Sequence, residues 1–252
     1  MIILLAATTL LVSCGKEKNK DGIYKGSEVS VHEGKSWSAV KLNEEGAPEQ
    51  FSLVLTDAVL NSVPVGTPPP PGGGHDHSNE FIIPIHKKAA QATPFQFLML
   101  NWNPNGHEPA GVYDSAHFDI HFYMNPRSEV ESFTDMAKID QALPGPDYLP
   151  AQHVPGPGVP KMGKHWIDIG SPEFNGQQFS QTFIYGSYDS KIVFYEPMIT
   201  LKFLKNTFTF ERPIPQPARF AETGYYPTKM KVRKHDGVTE ITLDGFVLRQ
   251  AS

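Results

Sequence analysis

Residues 116–124 read Ala116-His117-Phe118-Asp119-Ile120-His121-Phe122-Tyr123-Met124, and this alternation decides the fold. Side chains along a strand point to opposite faces in turn, so His117, Asp119, His121 and Tyr123 share one side while Phe118, Ile120, Phe122 and Met124 share the other. A wholly apolar face demands cover, which makes this a strand in a layered β structure. The opposite face presents two imidazoles flanking a carboxylate, with successive side chains roughly 7 Å apart. Imidazole nitrogen and carboxylate oxygen are the donors that zinc, iron, manganese and copper select.

Other residues can complete such a site. His165 lies in Lys161-Met162-Gly163-Lys164-His165-Trp166, where Gly163 permits a tight backbone approach. Glu196 interrupts the apolar run Ile192-Val193-Phe194-Tyr195-Glu196-Pro197-Met198, a costly place for a carboxylate unless it is paired, hydrogen-bonded or metal-bound. His107 and Glu108 precede the strand by a short loop and can fold back over it. The pattern therefore points to one divalent transition metal held by His117, His121 and His165. Glu196 or Asp119 is the carboxylate ligand, Asp119 alternatively fixing an imidazole tautomer, and His107, Glu108 and Tyr123 are accessory candidates. Competing readings are a solvated sheet face, a metal-free acid/base site, His165 as a packed loop anchor beside Trp166, and Glu196 paired with Lys191 or Arg212. His75 and His77 read as solvated loop residues, and His32, His86, His153 and His235 as ordinary surface residues.

Outward from the central strand the text is strand-rich. Tyr24–Leu42 suggests a two-stranded hairpin turning near Gly34, and Phe51–Leu55, Phe81–Ile85 and Phe95–Trp102 suggest further strands. Thr56–Val63 reads as a short helix capped by Thr56. Ser128–Ile139 opens with a Ser-x-x-Glu capping box and reads as the one clear helix, with Val130, Phe133, Met136 and Ala137 inward. Leu143–Pro160 holds six prolines and three glycines, the composition of a wrapping loop. Strands return at Phe179–Tyr188, Lys191–Leu204, Phe208–Phe210, Thr228–Arg233 and Thr239–Arg249, with turns at Asp189-Ser190 and Asp236-Gly237. No βαβ rhythm occurs, so the expected class is mainly β, a sandwich or barrel-like domain with long Pro-rich loops and one or two short helices.

At the amino terminus, Met1–Val12 is an uncharged apolar run of signal-peptide length, too short to span a bilayer. Leu11-Val12-Ser13-Cys14 resembles the bacterial lipobox, although no basic residue precedes the run. The expected organisation is a signal at 1–13, a lipid-anchored tether at 14–22, and a single β-rich domain at 23–252 interrupted by a Pro/Gly loop at 68–78. Acylated Cys14 would anchor the chain to a membrane, in the bacterial cell envelope, at the outer membrane or the cell surface.

Composition narrows the function classes. The chain has 252 residues and 19% charged residues but 16 Phe and 9 Tyr, which supports a sizeable core and excludes a disordered chain. A net charge of −5 with no long basic run offers no footprint for nucleic acid. A single cysteine excludes an internal disulfide and a thiolate-rich zinc site. The text holds no Gly-x-Ser-x-Gly elbow, phosphate-cradling glycine loop or His-Glu-x-x-His helix. The competing functional class is a non-catalytic lipoprotein whose aromatics, Trp37, Trp102, Trp166, Tyr185, Tyr188, Tyr225 and Tyr226, form a groove for a sugar or a partner protein.

Four motifs together carry a resemblance. Gly106-His107-Glu108-Pro109-x-Gly111-Val112-Tyr113-Asp114, His117-Phe118-Asp119-x-His121-Phe122-Tyr123, Met162-Gly163-x-His165-Trp166 and Glu196-Pro197-Met198 look like those of an uncharacterised bacterial envelope family. That family carries a domain of unknown function described from a Thermus protein under extracytoplasmic stress-sigma control. The similarity spans roughly residues 36–204. It implies a secreted or lipid-anchored β-rich domain, leaves a homo-oligomer open, and carries no catalytic roles to these positions.

Overall fold

The computed structural model describes residues 22–66 and 79–252. Cys14, nearly all of the tether, and the Pro/Gly loop with His75 and His77 lie outside the described residues. The domain is mainly β, two antiparallel sheets facing each other as a sandwich with no closed barrel.

The first sheet holds β1 (Ile23–Lys25), β2 (Val29–Val31), β3 (Gly34–Leu42), β4 (Pro48–Thr56), β12 (Thr209–Pro213), β14 (Lys229–His235) and β15 (Val238–Asp244). Its order is β1-β3-β4-β15-β14-β12, with β2 also pairing β3. The second sheet runs β5 (Glu80–Ile83), β6 (Phe97–Asn103), β7 (His117–Tyr123), β11 (Lys191–Thr200), β10 (Gln181–Tyr188), β9 (Gly163–Asp168) and β8 (His153–Val159). A small ribbon pairs β13 (Gly224–Tyr226) with β16 (Val247–Arg249).

Period-two alternation builds the core. Leu98, Leu100 and Trp102 of β6 and Phe118, Ile120 and Phe122 of β7 meet Val40, Phe51, Leu53, Leu55, Val232, Ile241 and Leu243 of the facing sheet. Phe51, Phe95 and Phe122 pack with ring centroids 5.5 to 5.9 Å apart. Each fully buried Phe contributes about 1.5–3 kcal/mol. The outer face of the second sheet is also roofed, by the loops after β6 and β7. Phe97, Met99, Tyr123, Val130, Phe133, Met162 and Phe194 form one small cluster there, and Tyr113, Ile167, Phe179, Ile184 and Met198 another. Every residue of β7 is consequently buried.

Several expectations need correction. The helix over 128–139 is two short ones, α3 (Arg127–Val130) and α4 (Met136–Asp140), because Asp135 accepts a hydrogen bond from the Ala137 N–H and starts a new helix. Val130 and Phe133 are buried, but Met136 and Ala137 are exposed. The proline-rich segment forms β8: a sheet edge tolerates prolines that have no N–H to donate, and its register shifts between Pro155 and Gly158. The apolar run 191–204 breaks at Thr200, whose hydroxyl accepts from the Phe203 N–H and opens α5 (Leu201–Asn206). Residues 24–42 make three strands rather than two. The helix after β4, α1 (Asp57–Ser62), does start at Thr56. The Thr56 hydroxyl accepts instead from the Lys35 N–H across to β3. Both expected tight turns form with left-handed residues, Asp189 and Ser190 at φ 50° and 65° and Asp236 and Gly237 at 46° and 78°.

Candidate metal centre

β7 sits in mid-sheet, and its neighbours set what its polar face meets. β6 places Met99, Asn101 and Asn103 beside His121, Asp119 and His117. On the other side, Phe122 pairs with Tyr195 and Asp119 with Met198, so the same register brings Glu196 beside His121. The outward-facing side chains gather into two triads, His121–His165–Glu196 and His107–His117–Asp119, each with donor atoms within 4.8 Å of one another.

In the first triad, Glu196 Oε2 lies 3.5 Å from His121 Nε2 and 3.7 Å from His165 Nε2. His165 reaches it from β9, where it pairs with Gly186 of β10. The Pro157 carbonyl lies 3.2 Å from its Nδ1, so that carbonyl accepts the Nδ1 proton and Nε2 faces the carboxylate. Two glycines make the approach geometrically feasible. Gly163 takes φ 129°, and a Cβ there would meet the Ser187 carbonyl at 2.8 Å; a Cβ on Gly186 would strike the Phe194 ring at 2.0 Å. Phe194 packs 4.8 Å from the His121 ring and 5.2 Å from the His165 ring, while Tyr123 stacks on His121 at 5.5 Å. Burial, and then the negative charge of Asp119, push the Glu196 carboxyl well above its usual range.

In the second triad, Asp119 Oδ1 lies 3.0 Å from His117 Nε2 and Oδ2 lies 3.2 Å from His107 Nε2. Asn103 donates to Oδ2 at 2.7 Å. Burial alone would raise the Asp119 carboxyl, but the imidazoles of His117 and His107 outweigh it and hold it well below the carboxylate range. The loop carrying His107 does fold back over the strand, closed by a His107 N–H to Tyr113 carbonyl bond.

The solvated-face reading fails, because His117, Asp119 and His121 are 0%, 3% and 1% exposed. The expected single point shared by His117, His121 and His165 is not formed. Four residues along a strand separate His117 from His121 by about 13 Å, so they serve different triads. Glu196 pairs with neither Lys191 nor Arg212; Arg212 instead approaches Asp168 at 3.8 Å. The Glu108 side chain points to solvent, and only its carbonyl takes part, accepting from His107 Nδ1 at 2.7 Å. Tyr123 is buried beside His121, as its shared face requires. His153 is not a surface residue: it is 7% exposed, with Nε2 3.3 Å from the Phe183 carbonyl, and burial lowers its pKa. Asn101, Asn103, Phe194 and Gly186 escaped the sequence reading. The two asparagines were detectable as polar residues alternating with Leu100 and Trp102.

Among the described residues, no helix is long and apolar enough to cross a membrane. No family profile, curated protein or solved structure matches the chain.

Proposed function

We propose that this chain is a lipid-anchored envelope protein whose β-sandwich holds one divalent transition metal ion through His121, His165 and Glu196. The observation that carries the reading is Glu196 itself, a carboxylate 1% exposed in an apolar strand with two imidazole nitrogens at 3.5 and 3.7 Å. Those separations are long for hydrogen bonds and lie close to the edges of a tetrahedral shell, about 3.3–3.6 Å for donors 2.0–2.2 Å from a metal. With the one cysteine at position 14, the described donors are nitrogen and oxygen only, which suits zinc, iron, manganese or copper. Three protein ligands leave a coordination position open, and a bound ion would there make water or oxygen reactive. Phe194 and Tyr123 wall the site against bulk water, and the Pro157 carbonyl fixes the His165 ring. The lipobox-like Leu11-Val12-Ser13-Cys14 supports the anchor, and the absence of other cysteines leaves Cys14 no disulfide partner within the chain.

Cobalt(II) substitution tests the metal site. The loaded protein should show visible d–d absorption of low-coordinate intensity, and Glu196→Gln should lose the share that His121, His165 and Glu196 supply; an unchanged spectrum in that variant would sink the assignment.

One observation favours the competing class. Tyr185, Tyr188 and Tyr226 line a cavity of about 680 Å³ together with Tyr148 and Tyr195. Trp102 and Trp166 are buried elsewhere, Trp166 donating to Ser187, and neither Trp37 nor Tyr225 lines that cavity. Saccharide titration followed by tyrosine fluorescence would reveal such binding.

A further inference from the structure

The His107–His117–Asp119 triad is built like a second, separate ligand set. Each imidazole has its Nδ1 against a backbone carbonyl, His107 on Glu108 at 2.7 Å and His117 on Ser115 at 2.6 Å. A carbonyl can only accept, so both rings carry their proton on Nδ1. In the neutral ring Nε2 is then a bare lone pair. Both Nε2 atoms point at one carboxylate, each at its own oxygen, 3.2 and 3.0 Å away. Lone pairs aimed at an anion repel unless a cation sits between them. One proton relieves one contact and leaves the other, and a second would place two imidazolium rings side by side, their centroids 4.7 Å apart. His117 is 0% exposed, where an ionised ring is costly. A single divalent ion answers all three donors at once.

The surroundings have the form of outer partners to a metal site. Backbone carbonyls fix both tautomers, and the Asn103 amide holds the carboxylate from behind at 2.7 Å. Phe179 closes edge-on over the His117 ring at 5.2 Å, and Tyr113 packs 5.8 Å from the His107 ring. His117 Nε2, Asp119 Oδ1 and the Tyr113 hydroxyl are buried with no geometrically sound hydrogen-bond partner among the described residues.

We propose that His107, His117 and Asp119 form a second divalent transition-metal site, filled independently of the His121–His165–Glu196 site. Two nitrogens and one oxygen select borderline transition ions over calcium or magnesium. His107 is the solvent-facing donor of this site, its side chain 29% exposed whereas that of Asp119 is 4% exposed.

Zinc titration of the full chain, produced without a histidine tag and stripped with chelator, tests this with His107→Gln, Asp119→Asn and Glu196→Gln. The wild type should take up about two equivalents. His107→Gln and Asp119→Asn should each drop to about one, and Glu196→Gln should also drop to about one, retaining the second site. Near-ultraviolet circular dichroism checks that each variant is folded, and the ¹⁵N shift of His107 Nε2 should move on zinc addition in the wild type and in Glu196→Gln. Wild-type saturation near one equivalent, unchanged by His107→Gln and with a static Nε2 shift, would overturn the proposal and leave an imidazolium–carboxylate ion pair only. Uptake of one equivalent that Glu196→Gln leaves intact and His107→Gln abolishes would uphold this site and refute the first.

Discussion

His165 and Glu196 face each other at 3.7 Å although they stand on strands that do not touch. β10 runs between β9 and β11, and where His165 crosses it the residue is Gly186. The missing side chain there is filled by the Phe194 ring, which lies against both imidazoles of the triad.

Gly186→Ala should therefore act on stability and metal together. A Cβ would meet Phe194 ring atoms at 2.0 Å, in a residue with no exposed surface into which to shift. Overpacking of this kind costs about 1–3 kcal/mol. Thermal melts and zinc affinity should both fall, and a variant with wild-type affinity would show that Phe194 does not position the imidazoles.

Glu196→Gln should separate a metal ligand from a structural ion pair. Burial raises the Glu196 carboxyl, so in the metal-stripped protein its ionised form opposes folding at neutral pH. For an acid raised this way, the stability contribution is present below the unfolded value and lost as pH rises through the folded one. The neutral isostere removes that cost, so the stripped variant should melt at or above the wild type, with each 1 kcal/mol worth about 2–4 °C. Metal-dependent stabilisation should fall in the variant to the part that the His107–His117–Asp119 site supplies. A stripped variant melting several degrees lower would argue that the carboxylate is there to pair with histidine.

Asp244→Asn probes the other sheet. Burial alone would raise the Asp244 carboxyl, but hydrogen bonds from Lys231 and Gln50, both 2.9 Å, lower it. The stability of a lowered acid is present above its unfolded value and lost as pH falls through the folded one. The variant should lose about 1 kcal/mol at pH 7, discounted for partial exposure, and less near pH 3, below the usual carboxylate value. Chemical denaturation at the two pH values reads this, and a loss equal at both would point to packing instead.

The residues whose alternation set the strand β7 also announced its chemistry, because period two segregates imidazoles and carboxylate from the core whatever the neighbours are. Partner choice was less legible. His117 and His121 share a face, but only the register with β6 and β11 shows that Asp119 divides them between two triads. Glu196 stood out as a charge in an apolar run, but one of its two partners, His165, came from a strand, β9, that follows a proline-rich stretch. That stretch reads as loop because proline cannot donate to a ladder, yet at a sheet edge it needs only to accept. The helix over 128–139 failed for a local reason: Asp135 offers a better cap than continued winding through Ser132 and Thr134.

Metal analysis of the full chain, purified without a histidine tag, decides whether the buried imidazoles and carboxylates hold an ion. At least about one equivalent of a transition ion should be bound after reconstitution, and less in Glu196→Gln. Less than about a tenth of an equivalent, even after reconstitution, would contradict it.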